Sequence, residues 1–278
     1  MLGERTLVMG VLNVTPDSFS DGALYLDPDA AAARALEIER AGADILDIGG
    51  ESTRPGSEGT VAEEELRRVL PVIERLRGRL RIPISVDTSK AEVAQAAAEA
   101  GAAIVNDVTA LRGDPRLAEV ARRRRLPVIL MHMRGEPRTM QKKPFARNVM
   151  RDVARGLRRA IAFARRAGIA KSQIILDPGF GFGKSYTQNL ALFSHLPELA
   201  QLGFPLLVGT SRKSFLGAAL GGAPENERLW GTAATVAVAI LGGAHIVRVH
   251  DVAEMVQVAR VTDAILHAQR VRASPPSP

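Results

Sequence analysis

Cysteine is absent from this chain of 278 residues, and that absence excludes three kinds of chemistry. The chain has no disulfide framework, no thiolate nucleophile and no thiolate site for zinc or an iron–sulfur cluster. Any metal must therefore be held by oxygen or nitrogen ligands. Aromatic residues form only 4% of the chain, so the basic segments lack the interleaved aromatic side chains on which nucleic-acid bases stack.

Long apolar runs are also lacking. The longest, residues 232–243, is rich in alanine and shorter than the roughly 20 residues that span a bilayer. The first residues lead directly into a strand-like segment and show no basic region, apolar core or small-residue cleavage site of a secretory signal. We therefore expect no membrane partner and a cytoplasmic location.

Lysine is scarce, and arginine carries nearly all of the positive charge in a chain whose formal net charge is +7. A basic chain raises the question of nucleic-acid binding. However, Arg158, Arg159, Arg165 and Arg166 recur at helical spacing, as on a solvated face, and residues 122–125 end a predicted helix, where cations are favoured. The sequence thus predicts no nucleic-acid partner.

Eight short apolar runs each end in or beside a polar residue, next to Gly, Ser, Thr or Asn. They occupy residues 7–14, 43–48, 82–86, 103–105, 127–131, 174–176, 205–208 and 245–249. Between them lie stretches of helical composition, such as 29–41, 62–76, 89–100, 150–167 and 253–267. Eight strand–helix units in a chain of this length predict a closed (β/α)8 TIM barrel, an α/β fold. We expect residues 1–272 to form this single domain, with long loops after strands 1 and 2 over the C-terminal face, and residues 273–278 to form a disordered tail.

The polar residues at the run ends form the candidate site, because TIM barrels keep their chemistry at the carboxyl ends of the strands. Asp87 and Asp177 end two runs, and Asn106 ends a third. Planar acceptor groups that converge on one opening suit a flat heterocycle with N–H and amino donors. Two carboxylates in a partly dry site repel each other, and Lys213 or Arg248 on later strand ends would relieve that repulsion.

Residues 177–185 look like a phosphate-binding P-loop but do not match it. Counting back from Gly183 and Lys184 puts Pro178 where the motif requires its first glycine. The glycines of this segment instead predict a tight strand-to-helix turn with close backbone approach. Phe182 is either an apolar wall of the site or a core residue, and the segment alone favours neither.

Arg248 and His250 alternate on the last strand, so both face the same side. They offer a permanent cation and a titratable donor to a phosphate or diphosphate. Asn13 ends the first strand, which adjoins the eighth in a closed barrel, and an amide oxygen beside a polyphosphate suits Mg²⁺. His132 has no partner at metal-ligand spacing, so we predict a structural role for it.

Two helix starts and two loops complete the candidate features. Ser89 and Glu92 predict a capping box. Ser211 or Ser214 can cap a helix after the seventh strand, and its free N–H groups would suit an anion, although an ordinary cap is the simpler interpretation. Residues 13–22 and 49–56 are rich in Gly, Pro and Ser, as in mobile lids or in insertions without function.

Taken in order, these motifs resemble the dihydropteroate synthase family. The resemblance rests on residues 10–22, 47–56, 85–88, 106–108, 131–134, 137–141, 177–184, 209–213 and 248–250, which run from the first strand to the eighth. One departure is Ala23, where the first loop of the family often has a second glycine.

The resemblance implies a transferase that condenses 6-hydroxymethyl-7,8-dihydropterin diphosphate with p-aminobenzoate, releasing pyrophosphate and yielding 7,8-dihydropteroate for folate synthesis. It also implies Mg²⁺ as cofactor and a homodimer, for which the Ala-rich helix predicted at residues 230–241 offers an interface. The implied residues are Asp87, Asn106, Asp177, Lys213 and Arg248 for the pterin; Asn13, Arg248 and His250 for the diphosphate, with Asn13 at the metal; Phe19, Thr53, Arg54, Phe182, Lys213 and Ser214 for p-aminobenzoate; and Lys213, Arg248, His250 and Asp21 for catalysis.

Three alternatives stay open from the sequence. A pterin-barrel methyltransferase that serves a corrinoid would share Asp87, Asn106 and Asp177 but has no evident use for the motif at 52–55. A catalytically silent pterin-binding protein would be marked by loss of Arg248, His250 or the two loops. A nucleic-acid-binding protein would depend on net charge and show steep salt dependence.

Overall fold

The structure, a computed structural model, describes residues 3–15, 27–53, 56–57, 59–140 and 146–273. Within these ranges eight parallel strands alternate with helices, as predicted. The strands are β1 (Leu7–Asn13), β2 (Ile45–Gly49), β3 (Ile84–Asp87), β4 (Ile104–Asp107), β5 (Val128–Met131), β6 (Ile174–Asp177), β7 (Leu207–Val208) and β8 (Ile246–Val249).

The strands form one sheet in the order β6-β5-β4-β3-β2-β1-β8-β7. In β1, Met9 therefore lies opposite Ile45 of β2 on one side and opposite Arg248 of β8 on the other. Between β6 and β7 the sheet closes through an isolated parallel bridge from Leu176 to Leu206. The predicted TIM barrel is confirmed, and its shortest strand pairing lies at β7.

An apolar layer fills the barrel interior. Every strand except β3 contributes to it, through Leu7, Met9, Ile45, Ile104, Ile129, Ile175, Leu207 and Ile246. At β3 the fully buried Ser85 takes the place of an apolar residue in this layer. Because side chains alternate between the two faces of a strand, the residue two positions later points to the same interior, nearer the carboxyl end.

Helices surround the barrel and bury their apolar faces against it. They are α1 (Pro28–Arg40), α2 (Ala62–Leu76), α3 (Ala91–Ala100), α4 (Leu117–Arg124), α5 (Val149–Arg166), α6 (Tyr186–Ser194), α7 (Leu196–Ala200), α8 (Ser214–Ala219), α9 (Leu229–Leu241) and α10 (Val252–Ala273). In α1, Pro28 occupies the first turn and the Asp27 side chain caps the helix by accepting the Asp29 N–H at 3.0 Å. No helix within the described ranges combines the length and hydropathy that a bilayer crossing needs.

The capping box predicted from Ser89 and Glu92 is wrong. Helix α3 begins at Ala91, and its N-cap residue, Lys90, makes no side-chain cap. The Ala91 N–H donates instead to Asp114 Oδ2 at 3.0 Å. Asp114 lies in the loop before α4, so a tertiary contact takes the place of the local cap. The predicted tail lies almost wholly in residues 274–278, outside the described residues.

Candidate active site

A cavity of about 460 Å³, here called the active-site cavity, opens at the carboxyl ends of the strands. The predicted site residues that line it are Asn13, Thr53, Asp87, Phe182, Lys213, Ser214, Arg248 and His250. Asn106 and Asp177 are buried at the ends of β4 and β6. Phe19, Asp21, Ala23 and Arg54 lie outside the described residues.

Arg248 joins two carboxylates at the base of this opening. Its Nε donates to Asp47 Oδ2 at 2.6 Å, and its Nη2 donates to Asp87 Oδ2 at 2.9 Å. The Asn106 Nδ2 donates to the same Asp47 oxygen at 3.1 Å. Two neighbouring carboxylates repel each other, and the guanidinium between them offsets part of that repulsion.

Strand alternation explains why these polar groups meet. On each of several strands, a residue of the apolar layer is followed two positions later by a polar residue at the mouth. The pairs are Ile45 and Asp47, Ile104 and Asn106, Ile175 and Asp177, and Ile246 and Arg248, while on β3 Ser85 precedes Asp87. Asp47, Asp87, Asn106, Asp177 and Arg248 are together called the polar layer.

Burial dominates the electrostatics of the polar layer. It raises the pKa of the Asp87 carboxyl, with Arg248 opposing the rise, and it raises the pKa of Asp177, with Lys213 opposing. Burial also lowers the pKa of the Lys213 ammonium to about 8, although Asp177 acts in the other direction. Burial lowers the pKa of Arg248, but Asp47 and Asp87 outweigh it, so the net shift is upward. A ligand that brings N–H donors to these carboxylates would therefore relieve part of their desolvation.

Lys213 reaches across the Gly-rich turn that follows β6. Its Nζ donates to the Phe180 carbonyl oxygen at 2.6 Å and lies 4.7 Å from the centre of the Phe182 ring. Gly181 has φ +81°, and a Cβ there would lie 3.1 Å from Lys213 Cδ. A side chain at Gly181 would thus crowd the lysine. Phe182 proves to be a partly buried wall of the active-site cavity.

Lys184 stabilises the Gly-rich turn after β6 through hydrogen bonds to its backbone. Its Nζ donates to the carbonyl oxygens of Gly179 at 2.7 Å, Phe182 at 3.1 Å and His132 at 3.2 Å. Lys184 is buried, and a Cβ at Gly179 would lie 2.0 Å from the His132 oxygen. The glycine therefore permits close backbone approach, as predicted, and this lysine holds carbonyl groups where a P-loop lysine would hold phosphate.

The opposite side of the cavity carries Asn13 and His250. Ser211 Oγ accepts the His250 N–H at 3.2 Å and lies 3.0 Å from the ring Nδ1. Ser211 is thus occupied with His250 and does not cap α8. Helix α8 begins at Ser214 after Lys213, which makes no side-chain cap, so the predicted Ser211 or Ser214 cap is wrong.

The loop after β2 is tied to the helix layer by a buried ion network. Lys90 Nζ lies 2.5 Å from Glu51 Oε2 and 2.5 Å from Glu65 Oε2. Glu65 belongs to α2 and is fully buried. Glu51 Oε1 also accepts the Thr60 N–H at 3.0 Å, and both Glu51 and Thr53 line the active-site cavity. The network therefore fixes one wall of the cavity.

Sequence reasoning missed Asp47 and Lys90. Asp47 carried a usable signal, because it follows Ile45 by two positions within a strand and so faces the same side. Lys90 carried none, since its partners Glu51 and Glu65 are 39 and 25 residues away in the chain. His132, predicted to be structural, is a buried residue outside the active-site cavity.

Comparisons with known proteins agree with this architecture. The family model described as "Pterin binding enzyme" matches residues 9–250. The dihydropteroate synthase of Synechocystis sp. is 49% identical over 263 residues, which cover 95% of this chain and 91% of that protein. The Yersinia pestis dihydropteroate synthase, solved with a sulfonamide drug complex, is similar at a TM-score of 0.90 and 46% identity, covering 95% of each chain. The Xanthomonas albilineans enzyme in complex with 7,8-dihydropteroate gives a TM-score of 0.85 and 44% identity, covering 99% of this chain and 96% of that one.

Proposed function

The chain belongs to the dihydropteroate synthase family, and on that premise we propose how its barrel mouth divides the reaction among its residues. The chain is a transferase of folate biosynthesis. It joins 6-hydroxymethyl-7,8-dihydropterin diphosphate to p-aminobenzoate through a new C–N bond, giving 7,8-dihydropteroate and pyrophosphate. The assignments that follow are ours, and those made to described residues are supported by the contacts, burial and cavity positions given above.

The pterin binds to the polar layer. Asp87, Asn106 and Asp177 present planar acceptors, and their burial favours a ligand whose ring edge carries N–H and amino donors. Arg248 already supplies such a donor to Asp87. Pterin binding therefore exchanges one donor for another at Asp87 and frees the guanidinium to lie over the ring and reach the diphosphate. Lys213 supplies a further cation beside Asp177.

The diphosphate binds between Asn13, Arg248 and His250, which line the same cavity. Among the residues described, the Asn13 amide has no hydrogen-bond partner, and no group of three or more His, Cys, Asp or Glu side chains is placed to hold a metal. A Mg²⁺ ion that takes most of its ligands from diphosphate and water fits this donor set, with Asn13 as its protein ligand. When bound, the ion would neutralise charge on the departing pyrophosphate.

The p-aminobenzoate binds toward the loop side of the cavity, against Thr53, Phe182, Lys213 and Ser214. Phe182 offers an apolar face to the ring, and the Lys213 ammonium beside it attracts the carboxylate. The N-terminus of α8, where Ser214 is the first residue, lies on the same wall. Phe19 and Arg54 are assigned to this pocket, and Asp21 to catalysis, by resemblance alone, because they lie outside the described residues.

The chemistry requires positioning and charge stabilisation more than proton transfer. The reduced pterin is electron-rich, so pyrophosphate departure runs ahead of attack on the exocyclic carbon. Arg248 and His250 stabilise the charge that grows on the leaving group. The arylamine is neutral near pH 7 and attacks without a strong base, so holding it beside the carbon provides most of the rate.

Two copies of the chain pair through α9 and α10 in this proposal. Trp230 on α9 is 77% exposed, and Val238, Leu241, Val261 and Ile265 are exposed on the same two helices. Apolar side chains grouped in this way mark an interaction surface. Sedimentation equilibrium would report twice the mass of one chain. A cytoplasmic location also stays a prediction from the sequence.

One observation supports the proposal above all others. Arg248 links the buried Asp47 to the partly buried Asp87 of the polar layer, and it lines the same cavity as Lys213 and His250. A catalytically silent pterin-binding protein needs acceptors for the pterin but has no use for these cations at a diphosphate. The retained cations therefore favour turnover over binding alone.

Pyrophosphate release by the purified protein, with Mg²⁺ and the dihydropterin diphosphate, tests the function. We expect release only when p-aminobenzoate is added, with dihydropteroate as the product. Asp177→Ala and Lys213→Ala should abolish turnover mainly through lost pterin affinity, whereas Lys171→Ala, a control near Phe204 rather than in the cavity, should not. Near-normal activity of either site variant would contradict its assignment. Tight pterin binding without turnover would favour the silent protein.

A further inference from the structure

A second cavity, of about 670 Å³, lies between the loop after β4, the end of β5 and α5. None of the residues that line it also lines the active-site cavity. We infer that this arginine cavity is a separate binding site for a small amphipathic anion, meaning an apolar body that carries a carboxylate, sulfonate or phosphate group. Its volume falls in the range of about 300–1,000 Å³ that is usual for small-molecule sites.

The inner surface of the arginine cavity is apolar and firmly held. Leu111, Met131, Met133 and Leu157 line it, and all four are buried. The Leu111 N–H donates to the buried Asp107 Oδ2 at 2.6 Å, which fixes the turn after β4. An apolar ligand that lies against this surface loses contact with water, and that loss favours binding.

The polar lining of the cavity is strongly cationic. It contains five arginines and one carboxylate, namely Arg112, Arg134, Arg155, Arg159, Arg166 and Asp152. Asp152 is shared, because Arg134 Nη1 lies 3.1 Å and Arg155 Nη2 lies 3.9 Å from its oxygens. No described acidic residue forms an ion pair with Arg159 or Arg166. The excess positive charge selects an anion, and the guanidinium fork suits carboxylate, sulfonate or phosphate.

His132 forms part of the wall of this cavity. The residue is only 9% exposed, and its Nε2 lies 3.7 Å from Asp152 Oδ2. Its Nδ1 is enclosed and has no hydrogen-bond partner among the described residues, and a buried polar atom without a partner costs free energy. Burial lowers the pKa of the ring to about 2, and the neutral ring keeps one N–H donor.

Gly156 leaves the space on α5 that the His132 ring occupies. A Cβ at Gly156 would lie 2.4 Å from His132 Cδ2. Glycine in the interior of a helix costs about 1 kcal/mol relative to alanine, so its presence in the middle of α5 implies a steric need. The ring of His132 therefore packs directly on the α5 backbone at the wall of the cavity.

Binding of 1-anilinonaphthalene-8-sulfonate tests the site, because this probe joins an apolar body to one anionic group. The protein is first saturated with 7,8-dihydropteroate to fill the active-site cavity, and binding is followed by calorimetry. We expect one site whose Kd is at least about tenfold lower than that of the uncharged N-phenyl-1-naphthylamine, since tenfold corresponds to roughly 1.4 kcal/mol.

Charge reversal on α5 locates the site. The double variant Arg155→Glu, Arg159→Glu should raise the Kd of the sulfonate probe at least about tenfold. The control Arg151→Glu, Arg158→Glu makes the same change in net charge on the same helix, at exposed residues that do not line the cavity, and should leave the Kd nearly unchanged. Circular dichroism would verify that both variants fold. Equal weakening in both variants, no weakening in either, or equal affinity for the charged and uncharged probes would each overturn the inference.

Discussion

Replacing Lys90 by Met removes the only cation that the described residues place between Glu51 and Glu65, and it should lower both stability and affinity for p-aminobenzoate. Glu65 is 0% exposed at its side chain, while Lys90 and Glu51 are 22% and 19% exposed. Removing one partner of a buried ion pair costs about 3–5 kcal/mol. Because the lysine and Glu51 retain some solvent contact, we expect the lower end, a loss of about 3 kcal/mol in the free energy of unfolding.

The pH dependence of that loss follows from Glu65. Burial raises the pKa of its carboxyl and Lys90 lowers it, so the Lys90→Met variant should have a still higher pKa at Glu65. Above the ordinary pKa of a glutamate, the folded variant then binds more protons than the unfolded chain, and its stability falls as the pH rises toward the folded pKa. The deficit relative to wild type should therefore be larger at pH 8 than at pH 5.5, growing by at most about 1.4 kcal/mol per pH unit.

Urea unfolding at the two pH values and steady-state kinetics measure these effects. Glu51 and Thr53 line the cavity, so the KM for p-aminobenzoate should rise at least about tenfold in Lys90→Met, with a smaller change in the KM for the pterin substrate. A second change, Glu65→Gln, removes the buried charge that has lost its partner and should restore about 2 kcal/mol of the free energy of unfolding. The reasoning is refuted if the deficit does not depend on pH, if Glu65→Gln restores nothing, or if both KM values rise equally.

Three further outcomes follow from the site. Burial lowers the pKa of Lys213 to about 8, so pterin diphosphate affinity measured by calorimetry should fall about tenfold per pH unit above pH 8, and a constant affinity would contradict the need for its charge. Lys184→Met removes a donor from three carbonyl groups, of which Gly179 keeps the Phe182 N–H, and should cost about 2–4 kcal/mol of stability in urea unfolding with inhibition by pyrophosphate unchanged; weaker inhibition would indicate a phosphate-binding role. Asp47→Asn leaves Asp87 as the only carboxyl group that accepts a hydrogen bond from Arg248 in the described contacts, so the KM for the pterin substrate should rise about tenfold, and an unchanged KM would limit Asp47 to a structural role.

Much of the barrel was predictable because its pattern repeats. Each apolar run ends in a polar group, and the two-residue period of a strand then places Asp87 and Asp177 at the same opening. The same period brings Arg248 to the eighth strand end. Asp47 was equally accessible to this reasoning, but it lies inside its apolar run, one residue before the last, and was overlooked for that reason.

Contacts between distant segments were not predictable. The start of α3 depends on Asp114, which lies 23 residues beyond Ala91. The ion network depends on Lys90 reaching Glu65 on another helix. At α3 the local sequence offers an adequate cap, Ser89, and only the packing of the helices decides that Asp114 is used instead. Local spacing therefore predicts elements better than it predicts what fixes their ends.

Lys184 and Lys213 illustrate what burial adds to a motif. Both ammonium groups lie near Asp177, and burial lowers the pKa of each, to about 7 for Lys184 and about 8 for Lys213. An ammonium has three N–H donors. Lys184 uses them on three carbonyl oxygens, so it has none left for a substrate. Lys213 donates to one carbonyl oxygen, that of Phe180, among the described residues, and it lines the cavity. The number of N–H donors without a partner therefore distinguishes Lys184, which is structural, from Lys213, which can hold a substrate. Only the folded structure shows that number, because it depends on which carbonyl groups lie near each ammonium.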